Sequence, residues 1–243
     1  MQIITTAISK GGTAKTTSAA VMAQAAAAAG KRVLAVDLDP QANFTYSIAA
    51  DQNKPGAYQL FTGTPAAQLI QQTAQGIDCI AASPDLSTIK TAPGSAKRLQ
   101  AALKDIESGY DICVIDTPPT LGELVFNALQ AATDLIIPLN ADGYGLQGLY
   151  QIADVAHQMQ HSNPGLNIAG VVITRYDSRP NINRYMKDVI AEKGAEIDAP
   201  LLGTIRPGVA IVEAAAMQQS LFEYAPSSNP AADYMTIYKL IVK

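Results

Sequence analysis

Short, nearly continuous apolar runs alternate with longer helical patterns along almost the whole chain. Continuous apolar runs, unlike runs that alternate with polar residues, are typical of parallel strands covered by helices on both faces. Seven runs have this character, the last more weakly than the others: 3–8, 33–37, 78–82, 112–116, 135–139, 168–174 and 201–205. The helical patterns between them cover 16–29, 96–107, 124–132, 146–161, 182–193, 210–219 and 231–242. Strand and helix in turn predict right-handed crossovers and an α/β fold with a single doubly wound, mainly parallel sheet flanked by helices.

The composition favours one globular domain. Of the 243 residues, 48% are hydrophobic and 16% are charged, which supplies a core and is too little charge for a disordered protein. The least regular stretch, 43–76, holds no repeat and no linker long enough to divide the chain, so residues 1–243 are predicted to form a single domain. The amino terminus lacks a basic segment and no apolar run approaches the length that crosses a bilayer, so a cytoplasmic protein is expected.

The cysteines and histidines show no pattern that requires redox or metal chemistry. Cys79 and Cys113 stand in apolar segments and are predicted to be small buried hydrophobic residues rather than a disulfide, a metal site or a nucleophile. His157 and His161 are four residues apart on a predicted helix, but no carboxylate or cysteine is placed to complete a metal site. A solvated helix face is therefore favoured for both histidines.

A glycine-containing loop follows the first predicted strand and leads directly into the first predicted helix. It reads Ser-Lys-Gly-Gly-Thr-Ala-Lys-Thr-Thr from Ser9 to Thr17. In this context the loop N–H groups and the positive end of the helix can cradle phosphates, with Lys15 adding a charge and Thr16 a hydroxyl for Mg²⁺. The usual phosphate-loop pattern has glycine where this chain has Ser9 and Ala14, so a glycine-rich turn that precedes a lysine by chance is the alternative.

Three aspartates follow two of the predicted strands. Asp37 and Asp39 are two residues apart, so both side chains leave the carboxyl end of their strand in the same direction. Asp116 ends an apolar strand further along the chain, which is the Walker B pattern. These groups are expected near the phosphate loop, where they can hold Mg²⁺ through water and orient an attacking water. Each alone is an ordinary acidic strand end, and their order after the loop is what favours the functional interpretation.

Taken together, the three segments resemble the deviant Walker A, A′ and B motifs of the ParA/MinD superfamily of P-loop ATPases. They read KGGTAKTT at 10–17, VDLDPQAN at 36–43 and VIDTPPTLG at 114–122. The similarity continues through 134–139, 144–149, 171–179, 203–207 and 209–214. It covers essentially the whole chain and is closest to the short ParA/Soj branch.

The resemblance implies a role for each matching residue. Lys10 matches the signature lysine that reaches the partner's phosphates across an ATP-sandwich homodimer, a charge supplied in trans like an arginine finger. Lys15 and Thr16 match the P-loop lysine and the Mg²⁺-binding hydroxyl, and Asp39 matches the carboxylate that positions the attacking water. The implied catalytic set is Lys10, Lys15 and Asp39, and the implied metal set is Thr16, Asp37 and Asp116. The other nucleotide contacts implied are Gly11, Gly12, Thr13, Ala14, Thr17, Arg206 and Pro207.

In this family ATP binding closes the dimer, and slow hydrolysis, stimulated by a partner protein, opens it. The resemblance therefore implies an ATP hydrolase with ATP/ADP and Mg²⁺ as cofactors and a ParB-like or other small adaptor as partner. The implied task is partition of a plasmid, mobile element or chromosome region, in the cytoplasm, with association with the nucleoid left open.

Two other functions remain open: a MinD-like positioning ATPase at a membrane, and a nucleotide-binding scaffold with little hydrolysis. A membrane is not expected, because the segment 231–243 carries only two lysines and resembles a docked final helix rather than a basic membrane-binding one.

Two departures from the family pattern bear on activity. Ala14 replaces a glycine, and its methyl group is expected to crowd the phosphates or restrict the loop, which motivates the scaffold alternative. Ala210 stands where relatives often carry an arginine, and neutral Ser227, Ser228 and Asn229 stand where they carry basic residues, which removes phosphate contacts to DNA. The basic residues that remain are Arg175, Arg179, Arg184, Lys187, Lys193 and Arg206. The net charge of −4 argues against nucleic acid over most of the surface, and both nonspecific DNA binding and a solvated charged face are left open.

Overall fold

Eight strands form one sheet in the computed structural model, which describes residues 1–89 and 97–242. In chain order they are β1 (Gln2–Thr6), β2 (Val33–Asp37), β3 (Gln71–Gln72), β4 (Asp78–Ile80), β5 (Ile112–Asp116), β6 (Asp134–Leu139), β7 (Asn167–Ile173) and β8 (Leu201–Thr204). Their order across the sheet is β3-β4-β2-β5-β1-β6-β7-β8, and every neighbouring pair is parallel except β3 with β4. The predicted doubly wound, mainly parallel α/β sheet is confirmed.

The described helices alternate with the strands, as the sequence pattern predicts. They are α1 (Lys15–Ala28), α2 (Asn43–Ser47), α3 (Ala57–Thr62), α4 (Arg98–Lys104), α5 (Glu123–Ala131), α6 (Gly143–Gln160), α7 (Asn181–Glu196), α8 (Val209–Ala216), α9 (Leu221–Tyr224) and α10 (Asn229–Ile241). None of them combines the length and apolar character needed to cross a bilayer.

The predicted helix over 96–107 is longer than the helix observed. Its first residue, Ala96, lies outside the described residues, and α4 ends at Lys104. There the chain tightens into a shorter-range turn, because the Ile106 N–H bonds the Leu103 carbonyl at 3.2 Å.

Helices cover both faces of the sheet, because side chains along each buried strand alternate between two cores. On β2, Val33 and Ala35 belong to the cluster formed with α1, α9 and α10, while Leu34 and Val36 belong to the cluster formed with α3, α4 and α5. A third cluster joins α5, α6 and α7 to β6 and β7. The sheet is thus held from both sides, which leaves its strand ends as the natural place for a site.

The two cysteines are free and fully buried, as predicted for small hydrophobic residues. Cys79 packs in the cluster that contains α1, and Cys113 packs in the cluster that contains α4. Burial raises the pKa of both thiols, so both stay protonated and unreactive.

Helix α1 ends where the sequence predicts. Gly30 has φ +77°, its N–H bonds the Ala27 carbonyl at 2.9 Å, and the Lys31 N–H bonds the Ala26 carbonyl at 3.1 Å. A left-handed glycine just beyond the last helical turn closes a helix in this way. The many alanines of α1 let it lie close to β5 and α10, which fixes its start against the strand ends.

The irregular stretch 43–76 contains short elements that the pattern did not reveal. Strand β3 consists of two glutamines and pairs antiparallel with β4, so it offers no apolar run. Helix α2 is five residues long, and the Thr45 hydroxyl ties it to Asp37 at 2.8 Å. Elements this short, α3 included, are placed by such tertiary contacts rather than by hydrophobic periodicity.

Candidate functional site

The carboxyl ends of three neighbouring strands lie side by side at one edge of the sheet. Strand β5 runs between β1 and β2, and the register pairs Asp116 with Thr6 on one side and with Asp37 on the other. Asp39 follows the end of β2, and the loop 9–14 follows β1 and leads into α1. The structure therefore brings the predicted loop and all three predicted aspartates to one place, as a parallel sheet requires.

Asp37 is fully buried and fixes the segment that follows β2. Its Oδ1 accepts from the Asp39 N–H at 3.0 Å, and its Oδ2 accepts from both the N–H and the hydroxyl of Thr45 at 2.8 Å. Burial raises the pKa of Asp37 to about 6, and the donors act against that rise. Asp37 thus sets the direction in which Asp39 leaves the sheet.

Asp116 carries an unsatisfied atom at the centre of this edge. Its Oδ1 accepts from the Thr6 hydroxyl at 3.3 Å, whereas its Oδ2 is buried and has no hydrogen-bond partner in the described part of the chain. Burial raises the pKa of Asp116 and the charge of Asp37 adds to the rise, while the nearby Thr16 hydroxyl and Lys15 ammonium lower it. A buried carboxylate oxygen without a partner is costly, so the residues present fit a site that a hydrated Mg²⁺ completes.

The loop before α1 has a backbone suited to an anion. Gly12 and Ala14 have φ of +73° and +64°, both in the left-handed region. Ala14 is the N-cap of α1 and no described side chain caps that end, which leaves N–H groups of the first turn available to a phosphate. Lys15 is buried beside them, and its Nζ donates to the Lys10 carbonyl at 2.9 Å. Burial lowers the pKa of Lys15, and two of the aspartates raise it.

Lys10 extends from the loop to the start of α6. Its Nζ lies 3.0 Å from both carboxylate oxygens of Asp142 and 5.4 Å from the centre of the Tyr144 ring. Asp142 is also the N-cap of α6, where it accepts from the Gly145 N–H at 2.6 Å. Sequence reasoning identified neither Asp142 nor Tyr144. An aspartate before a helix is a readable cap signal, but nothing in the sequence links it to Lys10.

Asp39 is nearly buried just beyond the end of β2. Its Oδ1 accepts from the Gln41 N–H at 3.0 Å, and the residue is only 8% exposed. Its charge raises the pKa of Lys15. Asp39 also lines a cavity of about 420 Å³ together with Pro118 and Pro119. A carboxylate in this position can orient a water molecule and hold its proton.

A mostly apolar cavity of about 410 Å³ opens beside the loop. Arg206 and Pro207, the two contacts expected outside the loop, line it together with Ala14 and Thr17. Its walls also include Thr174, Arg175, Val209, Val212 and Tyr234, which sequence reasoning did not assign to the nucleotide. These residues lie far from the loop in sequence, and only the closed sheet brings them together. The shape and lining suit a flat ring system attached to a phosphate chain.

A larger cavity, about 630 Å³, lies at the opposite edge of the sheet, around the ion pair of Arg32 with Asp111. Neither the loop 9–14 nor the aspartates at 37, 39 and 116 line this larger cavity. The cavity of about 410 Å³ is therefore the better candidate for a ligand, because Ala14 and Thr17 of the predicted phosphate-binding segment line it.

Most of the basic residues considered for DNA binding are engaged within the chain. Arg179 pairs with Asp177, Lys193 with Glu192 and Glu196, and Arg206 with Asp233, while Arg184 donates to the Ser178 and Arg179 carbonyls. Within the described residues, the side chains of Arg175 and Lys187 make no hydrogen bond or ion pair. Ser228 is the N-cap of α10 and accepts from the Ala231 N–H at 3.4 Å, so the neutral stretch has a structural use.

Comparisons with known proteins agree with this arrangement. Residues 1–168 match a family model described as an AAA domain. The chain is 34% identical over 229 residues to the chromosome-partitioning ATPase Soj of Thermus thermophilus, which covers 93% of this chain and 89% of that protein. It is 35% identical over 219 residues to the chromosome partitioning protein ParA of Caulobacter vibrioides, which covers 85% of this chain and 82% of that protein. The structure of cobyrinic acid a,c-diamide synthase from Mycobacterium smegmatis, with bound ATP analogue and magnesium, is similar with a TM-score of 0.81 and 28% identity, over 98% of this chain and 93% of that one.

Proposed function

The chain belongs to the ParA/MinD family of P-loop ATPases, and from this premise we propose that it is a partition ATPase that binds MgATP between two copies of itself. The observation that carries the proposal is the meeting of Lys15, Asp39 and the unsatisfied Asp116 beside an uncapped helix end. The Thermus and Caulobacter relatives support the partition-type activity, since both are named for chromosome partitioning.

The triphosphate lies along the loop from Lys10 to Thr17 in this proposal. The N–H groups at the start of α1 donate to phosphate oxygens, and Lys15 moves its ammonium from the Lys10 carbonyl to the phosphates. The base then occupies the cavity of about 410 Å³. Arg206 contributes its backbone and side-chain stem there, because its guanidinium is bound to Asp233 at 2.7 and 3.0 Å.

Mg²⁺ is assigned to the Thr16 hydroxyl, with Asp37 and Asp116 behind it. The support is chemical: hard cations prefer oxygen ligands, and Asp116 Oδ2 is a buried oxygen without a partner among the described residues. When bound, the ion neutralises charge on the phosphate oxygens. The two aspartates would hold the ion through water, and its charge would lower their pKa values, which burial raises in the ligand-free chain.

Hydrolysis is assigned to Asp39, Lys15 and Lys10. Asp39 orients the attacking water and holds its proton while the water oxygen bonds to the terminal phosphorus and the bond to the leaving oxygen breaks. Lys15 stabilises the charge that develops on the phosphate oxygens of its own subunit. Lys10 adds a second positive charge from the partner subunit.

Dimer closure requires Lys10 to leave Asp142. The side chains of the pair are 27% and 43% exposed, and surface ion pairs contribute only about 0–1 kcal/mol. The phosphates of a second subunit, with several negative charges, compete easily for the ammonium. Lys10 thus rests against Asp142 in the ligand-free chain, and ATP bound to the partner subunit can draw it away.

The biological assignments follow from the family. We propose that residues 1–243 act as one ATPase domain, that a ParB-like or other small adaptor stimulates slow hydrolysis, and that the cargo is a plasmid, mobile element or chromosome region. The protein is proposed to work in the cytoplasm, at or near the nucleoid.

Phosphate release from MgATP tests the proposal directly. The wild type is expected to hydrolyse ATP slowly, and Lys15→Ala and Asp39→Ala are expected to abolish release, while only Lys15→Ala abolishes ATP binding. Lys31→Ala, a lysine at the opposite edge of the sheet, is the matched control and should behave as wild type. A wild type that binds no MgATP would refute the proposal.

The same preparation separates the two alternatives. Sedimentation with liposomes in the presence of ATP would support the membrane-positioning alternative and contradict the partition assignment. Tight MgATP binding with no hydrolysis, even in the presence of a ParB-like adaptor that binds the protein, would support the scaffold.

A further inference from the structure

Thr45 lies in α2, beside the aspartates of the candidate site, and the chain encloses it almost completely. It is only 1% exposed. Its backbone N–H and its hydroxyl both donate to Asp37 Oδ2 at 2.8 Å, and its hydroxyl oxygen accepts from the Ala82 N–H at 2.9 Å. Asp37 is the last residue of β2, and Ala82 follows the end of β4, its neighbour in the sheet. One buried hydroxyl therefore joins α2 to the carboxyl ends of two adjacent strands.

The hydrogen bonds of Asp37 decide which of its lone pairs remains for a ligand. An ionised carboxylate accepts at about four positions. Thr45 fills two of them on Oδ2, and the Asp39 N–H fills a third on Oδ1 at 3.0 Å. Asp116, its register partner on β5, differs in this respect, because the Oδ2 of Asp116 has no partner among the described residues. Asp37 thus keeps about one acceptor position, and Thr45 sets its direction.

Helix α2 has no side-chain cap of its own, and Asp37 takes that place from another segment. The N-cap residue, Ala42, has φ +53° and provides no side-chain hydrogen bond. Thr45 is the third residue of the helix, so its N–H lacks a partner within the helix, and Asp37 supplies one. The same contact closes the segment 38–44 at its base, and Asp39 lies inside that segment. The placement of Asp39 therefore depends on the contact between Thr45 and Asp37.

We propose that Thr45 is a positioning residue for the hydrolytic site, whose hydroxyl orients Asp37 toward the water shell of Mg²⁺ and fixes the segment that carries Asp39. The inference rests on the proposed function, because it requires MgATP in this site. In this role Thr45 touches neither the nucleotide nor the ion. Without the hydroxyl, Asp37 Oδ2 keeps one donor instead of two, and the carboxylate is freer to turn. Outer-shell hydrogen bonds of this kind contribute about tenfold to 100-fold to metal affinity or activity.

The test separates the contribution of Mg²⁺ to ATP binding from that of the phosphates. ATP affinity is measured by competition against a ribose-labelled fluorescent ATP, once with Mg²⁺ and once with EDTA, and the ratio of the two affinities gives the gain from Mg²⁺. Thr45→Val removes the hydroxyl and keeps the branched shape, while Thr45→Ser keeps the hydroxyl. We expect Thr45→Val to lower this gain and the kcat of phosphate release by about tenfold each, with the affinity in EDTA unchanged. Thr45→Ser should restore both quantities.

Thr133→Val is the matched control, because the Thr133 hydroxyl makes similar contacts at the opposite edge of the sheet. Its oxygen accepts from the Ile3 N–H at 2.9 Å, and it donates to Asp134 Oδ2 at 2.8 Å. Thermal unfolding should show a loss of stability in both valine variants, since each leaves a backbone N–H without its acceptor. Only Thr45→Val should change the gain from Mg²⁺. Thr45→Ala, which adds no second methyl group, carries the same expectations and replaces Thr45→Val if that variant does not fold.

Three results would overturn the inference. A Thr45→Val protein that loses stability like Thr133→Val, but keeps the wild-type kcat and gain from Mg²⁺, would show a structural role alone. Equal losses of ATP affinity with Mg²⁺ and in EDTA would place the effect at the phosphates. A Thr45→Ser protein that restores neither quantity would show that the hydroxyl is not responsible. If the wild type binds no MgATP, the proposed function fails and the inference with it, whereas a wild type that hydrolyses MgATP no faster than Thr45→Val leaves the proposed function intact.

Discussion

Ala14 has φ +64° at the end of the phosphate loop, an angle that costs an alanine about 1–2 kcal/mol relative to the ordinary helical region. Glycine avoids this penalty but loses about 0.5–1 kcal/mol through the greater freedom of its unfolded chain. We therefore predict that Ala14→Gly raises the free energy of unfolding by about 0.5–1 kcal/mol. Urea denaturation of the ligand-free protein measures the change.

Ala49 supplies the matched control for that prediction, since it has φ +60° and lies outside the nucleotide site. Ala49→Gly should give a similar gain in stability. Only Ala14→Gly should tighten MgATP binding, because Ala14 belongs to the proposed phosphate site and Ala49 does not. A loss of stability in Ala14→Gly would contradict the account, since it would mean that the loop depends on the methyl group.

Asp142 forms an ion pair with Lys10 of the same subunit, so the negative charge of Asp142 is expected to oppose dimer closure. Asp142→Asn keeps a side-chain oxygen for the N-cap of α6 but removes an exposed ion pair worth about 0.2–1 kcal/mol. We predict that it lowers the MgATP concentration required for dimerisation by about two- to fivefold, with little change in the free energy of unfolding. Light scattering over an ATP titration measures the shift.

The control for Asp142→Asn is Asp154→Asn, an exposed change on the same helix. It should leave the ATP requirement unchanged. A dimer that forms less readily in Asp142→Asn than in the wild type would show that Asp142 assists closure rather than opposing it.

At the scale of single elements, helix α1 connects the phosphate site to the body of the sheet. A residue in the left-handed backbone conformation, Gly30, closes its carboxyl end. A Cβ added at Gly30 would meet no atom within 4 Å, so the cost of Gly30→Ala is conformational. The left-handed angle costs an alanine about 1–2 kcal/mol, and the reduced freedom of the unfolded chain offsets about 0.5–1 kcal/mol of it, so we predict a net loss of about 0.5–1 kcal/mol in the free energy of unfolding. Affinity for MgATP should not change, because the affected end of the helix is remote from the phosphates. Thermal and urea unfolding, with a parallel ATP titration, measure both quantities.

Gly109 is the matched control, because it also has open space and lacks a positive φ. Gly109→Ala should be neutral or slightly stabilising. Equal effects of the two substitutions would indicate that the end of α1 is not specified by the conformation of Gly30.

The elements that could be predicted are those whose burial requires a recognisable pattern of residues in the sequence. Strand 112–116 is covered on both faces, and its sequence is a continuous apolar run. Helix α1 is followed by Gly30, and the left-handed conformation that closes the helix there favours glycine. Strand β3 has two polar residues, and α2 is held by one threonine on a buried aspartate. Such elements are fixed by contacts that form only after the chain has folded.

The same distinction applies to the site. The loop and the aspartates could be placed together from the sequence, because parallel order brings the strand ends to one edge. The contact of Lys10 with Asp142 spans 132 residues, and the wall formed by Arg175 and Tyr234 comes from two further segments. Neither follows from local spacing, since each depends on how the helices close over the sheet.

On the scale of the whole molecule, the charge distribution argues for weak contact with DNA. Of the six basic residues considered, Arg175 and Lys187 are the ones whose side chains have no partner in the described residues. We predict that nonspecific duplex binding, measured by electrophoretic shift at several salt concentrations, is weak and has a slope of log K against log salt of about −2 or shallower per protomer. Tight binding with a steep slope only in the presence of ATP would contradict this prediction.

The central claim is a nucleotide site that a second copy of the chain completes through Lys10. Sedimentation velocity of Asp39→Ala with and without MgATP tests it most directly, because blocked hydrolysis keeps a closed dimer from opening. The account predicts a monomer without nucleotide, a dimer with MgATP, and a monomer under both conditions once Lys10→Ala is added. An unchanged sedimentation coefficient on addition of MgATP, or an ATP-dependent dimer that survives Lys10→Ala, would contradict it.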